Sequence, residues 1–507
     1  MERASWSSRS AFILAAVGSA VGLGNAWRFP GLVAKHGGGT FLVVYLVAMF
    51  VIGIPLLMME ISIGRKTRSG APGAMRAMNK KFEPIGWAAT ANAFVITTYY
   101  AVVFAWVLAM AVFSFKFAGM TGDTDAASNL FATLTQTSWT VSDYGIPMAI
   151  LGCLAVAWVL IYVCIRDGAN SVSKVVKYTV FLPVICLGIM AIKGITMPGG
   201  MEGVAQLFIP DVAAFQNTDL WLDAIGQVFF SLSIMMAIMF AYGSFLDDES
   251  NIAVDAIIIA VSDMAISVLA GIVMFSTMGG VGMLDSMSDS GIVTAFIVYP
   301  QAIVSLTGNG VVNAIFGFIF YMCLVTLAID SAFSIVEGVS TAVADKFKIK
   351  HSKVTIGVCI AAAVVSLLYA TRAGLAWLDI VDNWTNQYSM IVIGILECVA
   401  VGWFFDPKKV LAEINRNTKS YKMPAWWFVT SIKVIAPVIL AVLLGFKFYS
   451  LFVVSGGNYG GYPMWAICVG GWLVMALCFV SGFVVKAIVA SKKKAGFVED
   501  DRTWDEL

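Results

Sequence analysis

The sequence predicts an all-α polytopic membrane protein with twelve transmembrane helices, and three features carry that prediction. Of its 507 residues, 60% are hydrophobic and only 12% charged, with a mean hydropathy of +0.87. A soluble domain of this size cannot hide so much apolar surface. Apolar runs recur along the whole chain, each near the roughly 20 residues that a helix needs to cross a bilayer. The short alternating segments of a membrane barrel are not visible.

The runs fall near residues 10–34, 40–63, 85–115, 145–165, 174–194 and 220–245, then 252–282, 311–342, 352–370, 376–404, 427–453 and 463–490. The apolar stretch at 290–306, with Ile292, Phe296 and Val298, is too short to span. It is expected to be an extracellular loop that dips back onto the protein. Basic residues orient the chain. Arg65, Lys66, Arg68, Arg76, Lys80, Lys81, Arg166, Lys174 and Lys177 fall on one side, as do the lysines at 346–353, the basic residues at 408–422 and Lys492, Lys493 and Lys494. The opposite loops at 119–144, 195–218 and 283–310 contain no Lys or Arg. The positive-inside rule therefore predicts both termini cytoplasmic, in a multi-pass protein of the cell's inner (plasma) membrane. Asp247-Asp248-Glu249 is the one dissenting loop, and acidic residues weigh little in that rule.

Charge and composition narrow the function. A net charge of +1 gives no basic character for nucleic acid. The eight cysteines sit inside apolar segments without metal or disulfide spacing, as small core hydrophobes do. Two histidines, His36 and His351, make a histidine-based zinc site unexpected. The first apolar segment carries Asn25, Arg28 and Pro30 and lacks a small-residue cleavage site, so it reads as a span and not a cleaved leader. No nucleophile–base pair or metal cluster marks an enzyme.

Two spans are irregular. The first contains Gly18, Gly22, Gly24 and Asn25, with Arg28 and Pro30 close behind. Glycine is about 1 kcal/mol worse than alanine in a helix interior, so this stretch is expected to open. Carbonyls freed at membrane depth must face a cavity or an ion. Close packing of two helices is the other use of such small residues. The sixth span runs Gln227-Val228-Phe229-Phe230-Ser231-Leu232-Ser233, polar at mid-depth, and begins the second group of five helices. Interruptions at matching places in two halves point to a substrate site in an inverted-repeat transporter. Asp263 and Ser267 in the seventh span, and Asp330 and Ser331 in the eighth, add carboxylates and hydroxyls. Ionisable groups inside a membrane are functional by default, and an all-oxygen set suits an alkali cation.

These residues resemble the neurotransmitter:sodium symporter family. Gly22-Leu23-Gly24-Asn25-Ala26-Trp27-Arg28-Phe29-Pro30 is similar to its first-helix signature. Gly37-Gly38-Gly39-Thr40-Phe41 and Gly53-Ile54-Pro55, with Glu60 following, match its second-helix pattern. The resemblance extends from about Arg3 to the twelfth helix. It implies an N-terminal gate segment (1–9), a 5+5 inverted-repeat core with helices 1 and 6 broken (10–404), two further helices (405–490) and a cytoplasmic tail (491–507).

The resemblance also implies roles. A first sodium would meet the Ala20 carbonyl, Asn25, Ser231 and Asp263, completed by the substrate carboxylate. A second would meet the Gly18, Val21 and Leu327 carbonyls with Asp330 and Ser331. The substrate would lie at Gly22, Gly24 and Tyr100, its side chain among Ile96, Phe230, Ser233, Met236 and Ile335. Amine transporters of the family carry an acidic residue where this chain has Gly22, which favours a substrate with its own carboxylate. The outer gate would pair Arg28 with Asp382 and Tyr100 with Phe230. The inner gate would pair Arg3 with Asp345, Trp6 packing nearby. Met235 and Ala237 replace glycines common around the sixth-helix opening and are expected to tighten the pocket. Asp330 replaces the Thr usual in bacterial members and resembles the animal transporters. Tyr45, Gln227, Ser231 and Ser267 match the family's chloride site, yet Asp263 stands where chloride-dependent members have Asn. Its fixed charge is expected to make chloride unnecessary.

The expected function is sodium-coupled import of a small neutral, hydrophobic α-amino acid by alternating access. A symporter for taurine or a γ-amino acid is the alternative, and a non-transporting sensor a more distant one. The expected partners are sodium, the amino acid and the bilayer, with a homodimer left open.

Overall fold

The computed structural model describes residues 5–288, 290–418, 421–494 and 496–507. Among them ten helices are long and apolar enough to cross a membrane without interruption: Gly39–Thr67, Glu83–Gly119, Met148–Ile165, Ala169–Ile195, Ile252–Val281, Gly310–Phe347, His351–Tyr369, Gly374–Phe404, Ala425–Val454 and Met464–Lys494. The first span is a bent pair, Arg9–Ala20 and Gly24–Lys35, with a 51° change of direction. The sixth consists of two short helices, Thr218–Ser231 and Ile238–Ser244, flanking a break. The two interrupted spans thus open the first and second groups of five. No strand occurs among the described residues.

Local chemistry explains the ends. Ser8 caps the first span by accepting from the Ala11 amide, and Asn251 and Asn309 cap the seventh and eighth in the same way. Each satisfies an amide that the helix itself leaves unpaired. Pro30 falls where the wider-wound turn Gly24–Arg28 of span one passes into the α-helix Phe29–Lys35. The break in span six is less ordinary. Ser233, Met235 and Ala237 hold φ of 53°, 65° and 61°, a left-handed region that costs a residue bearing a Cβ about 1–2 kcal/mol.

Close backbone contact locks the second span against the sixth. A Cβ on Gly64 would run into the Phe240 carbonyl, and one on Gly243 into the Ile61 carbonyl. Small residues let membrane helices approach this closely. On the face away from the termini, the short helix Gly291–Ser305 turns back as expected. Its Phe296 stacks on Phe131 at 4.4 Å and meets Trp27 edge-on at 5.9 Å.

The face carrying the termini explains the dissenting acidic loop: Asp248 pairs with Arg68 at 2.8 Å and Arg416 at 3.9 Å. The last residues form a strap. Glu499 bridges Arg76 (2.9 Å), Lys493 (2.5 Å) and Lys346. Asp501 meets Arg76 and Lys80, Lys409 holds Asp505 at 2.7 Å, and buried Trp504 packs on Phe405.

Candidate ion and substrate site

The two broken spans meet at the middle of the bundle. Asn25, just past the first break, folds its side-chain oxygen back to accept from the Gly22 amide at 3.0 Å. Its Nδ2 donates to Asp263 Oδ1 and Ser267 Oγ (both 2.7 Å) and Ser231 Oγ (3.0 Å). Ser231 donates to Asp263 at 2.7–2.8 Å, and the Tyr45 hydroxyl reaches the same carboxylate at 3.2 Å. The network joins the second, sixth and seventh spans to the first break, and all its members are buried. Asn25, Ser231 and Asp263, expected at the first sodium, therefore come together with Tyr45 and Ser267 from the chloride-like set. Gln227 does not join them: its Oε1 accepts from Arg28 Nη1 at 3.2 Å, and its Nε2 has no partner.

A second cluster lies on the other side of the first break. A Cβ on Gly18 would stand 2.8 Å from Asp330 Oδ2, so the glycine backbone abuts this carboxylate. Asp330 Oδ1 and Ser19 Oγ are buried without hydrogen-bond partners. Ser331 Oγ lies 3.3 Å from the Ser19 carbonyl and 3.5 Å from that of Leu327. Ser233, from the sixth break, donates to the same Ser19 carbonyl at 2.8 Å. The breaks are thus bolted together through a carbonyl that the sequence did not single out. Gly18, Ser331, Leu327 and Asp330 gather here beside Ala20 and Val21, all buried. The orphaned carboxylate oxygen and the surrounding hard oxygens fit an alkali cation.

Between the clusters, glycine makes room. A Cβ on Gly22 would lie 2.6 Å from Ser331 Oγ and 3.6 Å from the Tyr100 hydroxyl, and one on Gly24 2.5 Å from the Phe230 ring. A cavity of about 410 Å³ opens from the face away from the termini and reaches Gly24, Tyr100 and Phe230. Ile96, Ser233, Met236 and Ile335 are buried and are not part of its wall. Arg28 and Asp382 both line this vestibule without forming an ion pair. Arg28 lies 5.9 Å from the Phe230 ring centre, and Asp382 accepts from Asn386 at 2.7 Å.

The opposite end is plugged. Trp6 donates from Nε1 to the Tyr242 carbonyl at 3.0 Å and packs edge-on against Tyr242 and Phe245. Asp345 accepts from the Gly70 amide at 2.8 Å, while Arg3 lies outside the described residues. A second cavity, about 830 Å³, lies on this terminal face, and its walls include Phe245, Glu337 and Asp345. The two cavities share no wall residue.

Met235 does not tighten the pocket as expected. Its sulfur lies against Gly394 in the tenth span, and its amide donates to Glu60 at 2.6 Å. Sequence reasoning missed Glu397 altogether, although a carboxylate inside Ile395-Leu396-Glu397-Cys398-Val399 carries the same signal as Asp330. It also missed the Arg9–Asp255 pair at 2.6 Å and the Arg65–Glu413 pair at 2.9 Å, which hold the terminal face together.

Ten continuous membrane-length helices, two broken spans and polar clusters at both breaks define a multi-pass membrane transporter. Comparison with known proteins gives the particular family. A profile described as the sodium:neurotransmitter symporter family matches residues 3–121 and 120–492, and the chain belongs to that family of transporters. An uncharacterized sodium-dependent transporter of Methanocaldococcus jannaschii is 34% identical over 503 residues, covering 97% of this chain and 99% of the relative. The sodium- and chloride-dependent glycine transporter 1 of Xenopus laevis is 28% identical, covering 95% of this chain and 83% of the relative. The human sodium- and chloride-dependent GABA transporter 2 is 27% identical, covering 94% and 84%.

Proposed function

We propose that this sodium-dependent symporter imports a small neutral α-amino acid by alternating access, with its termini in the cytoplasm and two sodium ions as co-substrates. One observation carries the reading. The two helix breaks meet between the Asn25–Ser231–Asp263 network and the Gly18–Asp330–Ser331 cluster, with Gly22 and Gly24 exposing backbone between them. Opened backbone amides favour an anionic group, and Gly22 leaves no room for an acidic side chain beside Ser331. The substrate therefore brings its own carboxylate.

Asp263 replaces the need for chloride in this reading. Its carboxylate takes hydrogen bonds from Tyr45 and Ser231, two members of the chloride-like set, and from Asn25. The named glycine and GABA relatives are chloride-dependent, so this chain departs from them. The shape supports an outward-facing state, with the vestibule open down to Tyr100 and Phe230 and Trp6 closing the other end. The lysines and arginines of the loops on the side of the termini support their cytoplasmic placement.

A thermal-shift screen of the purified protein tests this against the twenty amino acids, taurine and GABA, with and without sodium. Ligands that bind only the folded state raise its stability. Stabilisation by a few small apolar amino acids, only with sodium, supports the reading. A response to taurine or GABA alone moves the substrate class to non-α amino acids, and sodium-independent stabilisation contradicts the coupling.

A further inference from the structure

The chain between the fifth and sixth spans does not simply cross the surface. Its helix Gly200–Phe208 runs back down the flank of the seventh span. A Cβ on Gly203 would strike the Phe275 carbonyl, with Gly279 just beyond, and one on Gly271 would lie 3.1 Å from Leu207. From Gly279 to Gly271 is about 12 Å at 1.5 Å per residue, so Leu207 sits well inside the end of that span at Val281. The chain then turns and is stitched to the connection between spans one and two. The Gly39 amide donates to the Ile209 carbonyl at 3.0 Å and the Asp211 amide to the Gly37 carbonyl at 3.3 Å. The Thr40 hydroxyl donates to the Asp211 carbonyl at 2.7 Å.

Gly203 and Leu207 are buried on the seventh span, but Met201, Phe208, Ile209 and Val212 are 58%, 48%, 62% and 73% exposed. A contiguous apolar face this open marks an interaction site. Its depth beside the seventh span points to lipid, and so does its continuity: past the Gly39 contact, the exposed side chains of the second span are Val43, Leu46 and Val47. Charge selects the layer. Residues 195–218 contain no Lys or Arg but carry Glu202 and Asp211, which suits the boundary beneath the headgroups and not the phosphates of acidic lipids. Trp221, 41% exposed, donates its indole N–H to the Phe215 carbonyl at 3.1 Å, the amphipathic residue typical of that layer.

We propose that residues 201–215 are a lipid anchor, seated between headgroups and acyl chains of the leaflet on the face away from the termini. Apolar side chains on one face of a short helix hold it in that plane. Through the backbone bonds to Gly37, Gly39 and Thr40, the anchor fixes the depth of the turn that ends span one. The half-helix leading to that turn, Gly24–Lys35, carries Arg28 on the vestibule wall, so the bilayer has a direct hold on one wall of the vestibule. Neither the anchor nor its tether depends on which ligand is carried or on sodium coupling.

Spin labels test the anchor in the full chain, reconstituted in phosphatidylcholine nanodiscs. They are placed at Ile209→Cys, Val212→Cys and, as a water-exposed control beyond the seventh span, Asp285→Cys. The Cys468→Ala parent, which lacks the exposed native thiol, supplies the background. Oxygen should relax the labels at 209 and 212 severalfold more than a water-soluble nickel chelate does, with the reverse at 285. Replacing part of the phosphatidylcholine by phosphatidylglycerol should leave the ratio unchanged. Nickel access at 209 and 212 equal to that at 285 overturns the anchor. Exclusion of both relaxants with spin–spin broadening does the same, because a second copy of the chain then covers the face. A ratio that rises with phosphatidylglycerol overturns the choice of layer. The tether is read separately by hydrogen exchange in nanodiscs: residues 37–40 should exchange severalfold faster in an Ile209→Glu, Val212→Glu double variant. Unchanged exchange overturns the tether, and Val212→Glu alone carries the same test if the double variant does not fold.

Discussion

Gly18→Ala is the sharpest probe of the second sodium cluster, because the structure states what the added methyl meets. It would lie 2.8 Å from Asp330 Oδ2, 3.2 Å from the Asp330 carboxyl carbon and 3.0 Å from a methyl of Val180. Two walls press from different helices, so the methyl cannot be absorbed by rotating one flexible tip. Overpacking of this kind costs about 1–3 kcal/mol. Spent on moving Asp330 away from the carbonyls of the first break, that energy weakens sodium binding by about 5- to 150-fold, at 1.4 kcal/mol per decade. Half-maximal uptake should require correspondingly more sodium, and sodium should stabilise the purified variant less at a fixed concentration. Gly152→Ala is the control: the glycine lies in the fourth span with nothing within 4 Å of an added Cβ, and the variant should match the wild type. A folded Gly18→Ala protein with unchanged sodium dependence would refute the assignment of sodium to Asp330.

Three further outcomes are expected. Asp263→Asn removes the carboxylate that Tyr45, Ser231 and Asn25 address; uptake by this variant should require chloride, and replacing chloride with gluconate should abolish it while sparing the wild type. Trp6→Ala deletes the plug against Tyr242 and Phe245, an aromatic truncation worth about 3–5 kcal/mol; it should lower Tm and speed hydrogen exchange across Ile238–Ser244, and unchanged exchange would count against the plug. Glu499 in the C-terminal strap is partly desolvated, which favours its neutral form, but hydrogen bonds from Lys346 and Lys493 outweigh this and hold its carboxyl below the usual range. A depressed carboxylate stabilises above its unfolded pKa and loses that contribution as pH falls through the folded value, so strap docking should persist at neutral pH and weaken below roughly pH 4. Limited proteolysis against pH reads this directly, and Glu499→Gln should be cleaved readily at neutral pH.

Much of this site was legible in the chain. Gly18, Gly22, Gly24 and Asn25 in one apolar run announce a helix that cannot stay regular, because glycine forfeits helix stability and an amide side chain needs partners. Asp263 and Asp330 announce themselves for the same reason. What local sequence does not encode is which polar group answers which. Gln227 resembled a partner of Tyr45 and Ser267, but the guanidinium of Arg28 claims its oxygen, a pairing set by how spans one and six cross. Met235 suggested a smaller pocket, yet it turns toward Gly394, 159 residues away in the chain.

The membrane-spanning helices, their two interruptions and the residue types available at mid-depth are written in the individual segments. Hydrophobic length and the missing helix stability of glycine are properties that each segment carries alone. The packing of distant helices is what makes Ser233 and Ser331 address the same Ser19 carbonyl. It alone brought the Met235 amide of the sixth break onto Glu60 of the second span, and left Arg28 apart from Asp382 across an open vestibule. Those facts depend on distances between helices far apart in the chain. In a bilayer such distances are fixed by close packing of small residues and by the need to satisfy every buried polar group.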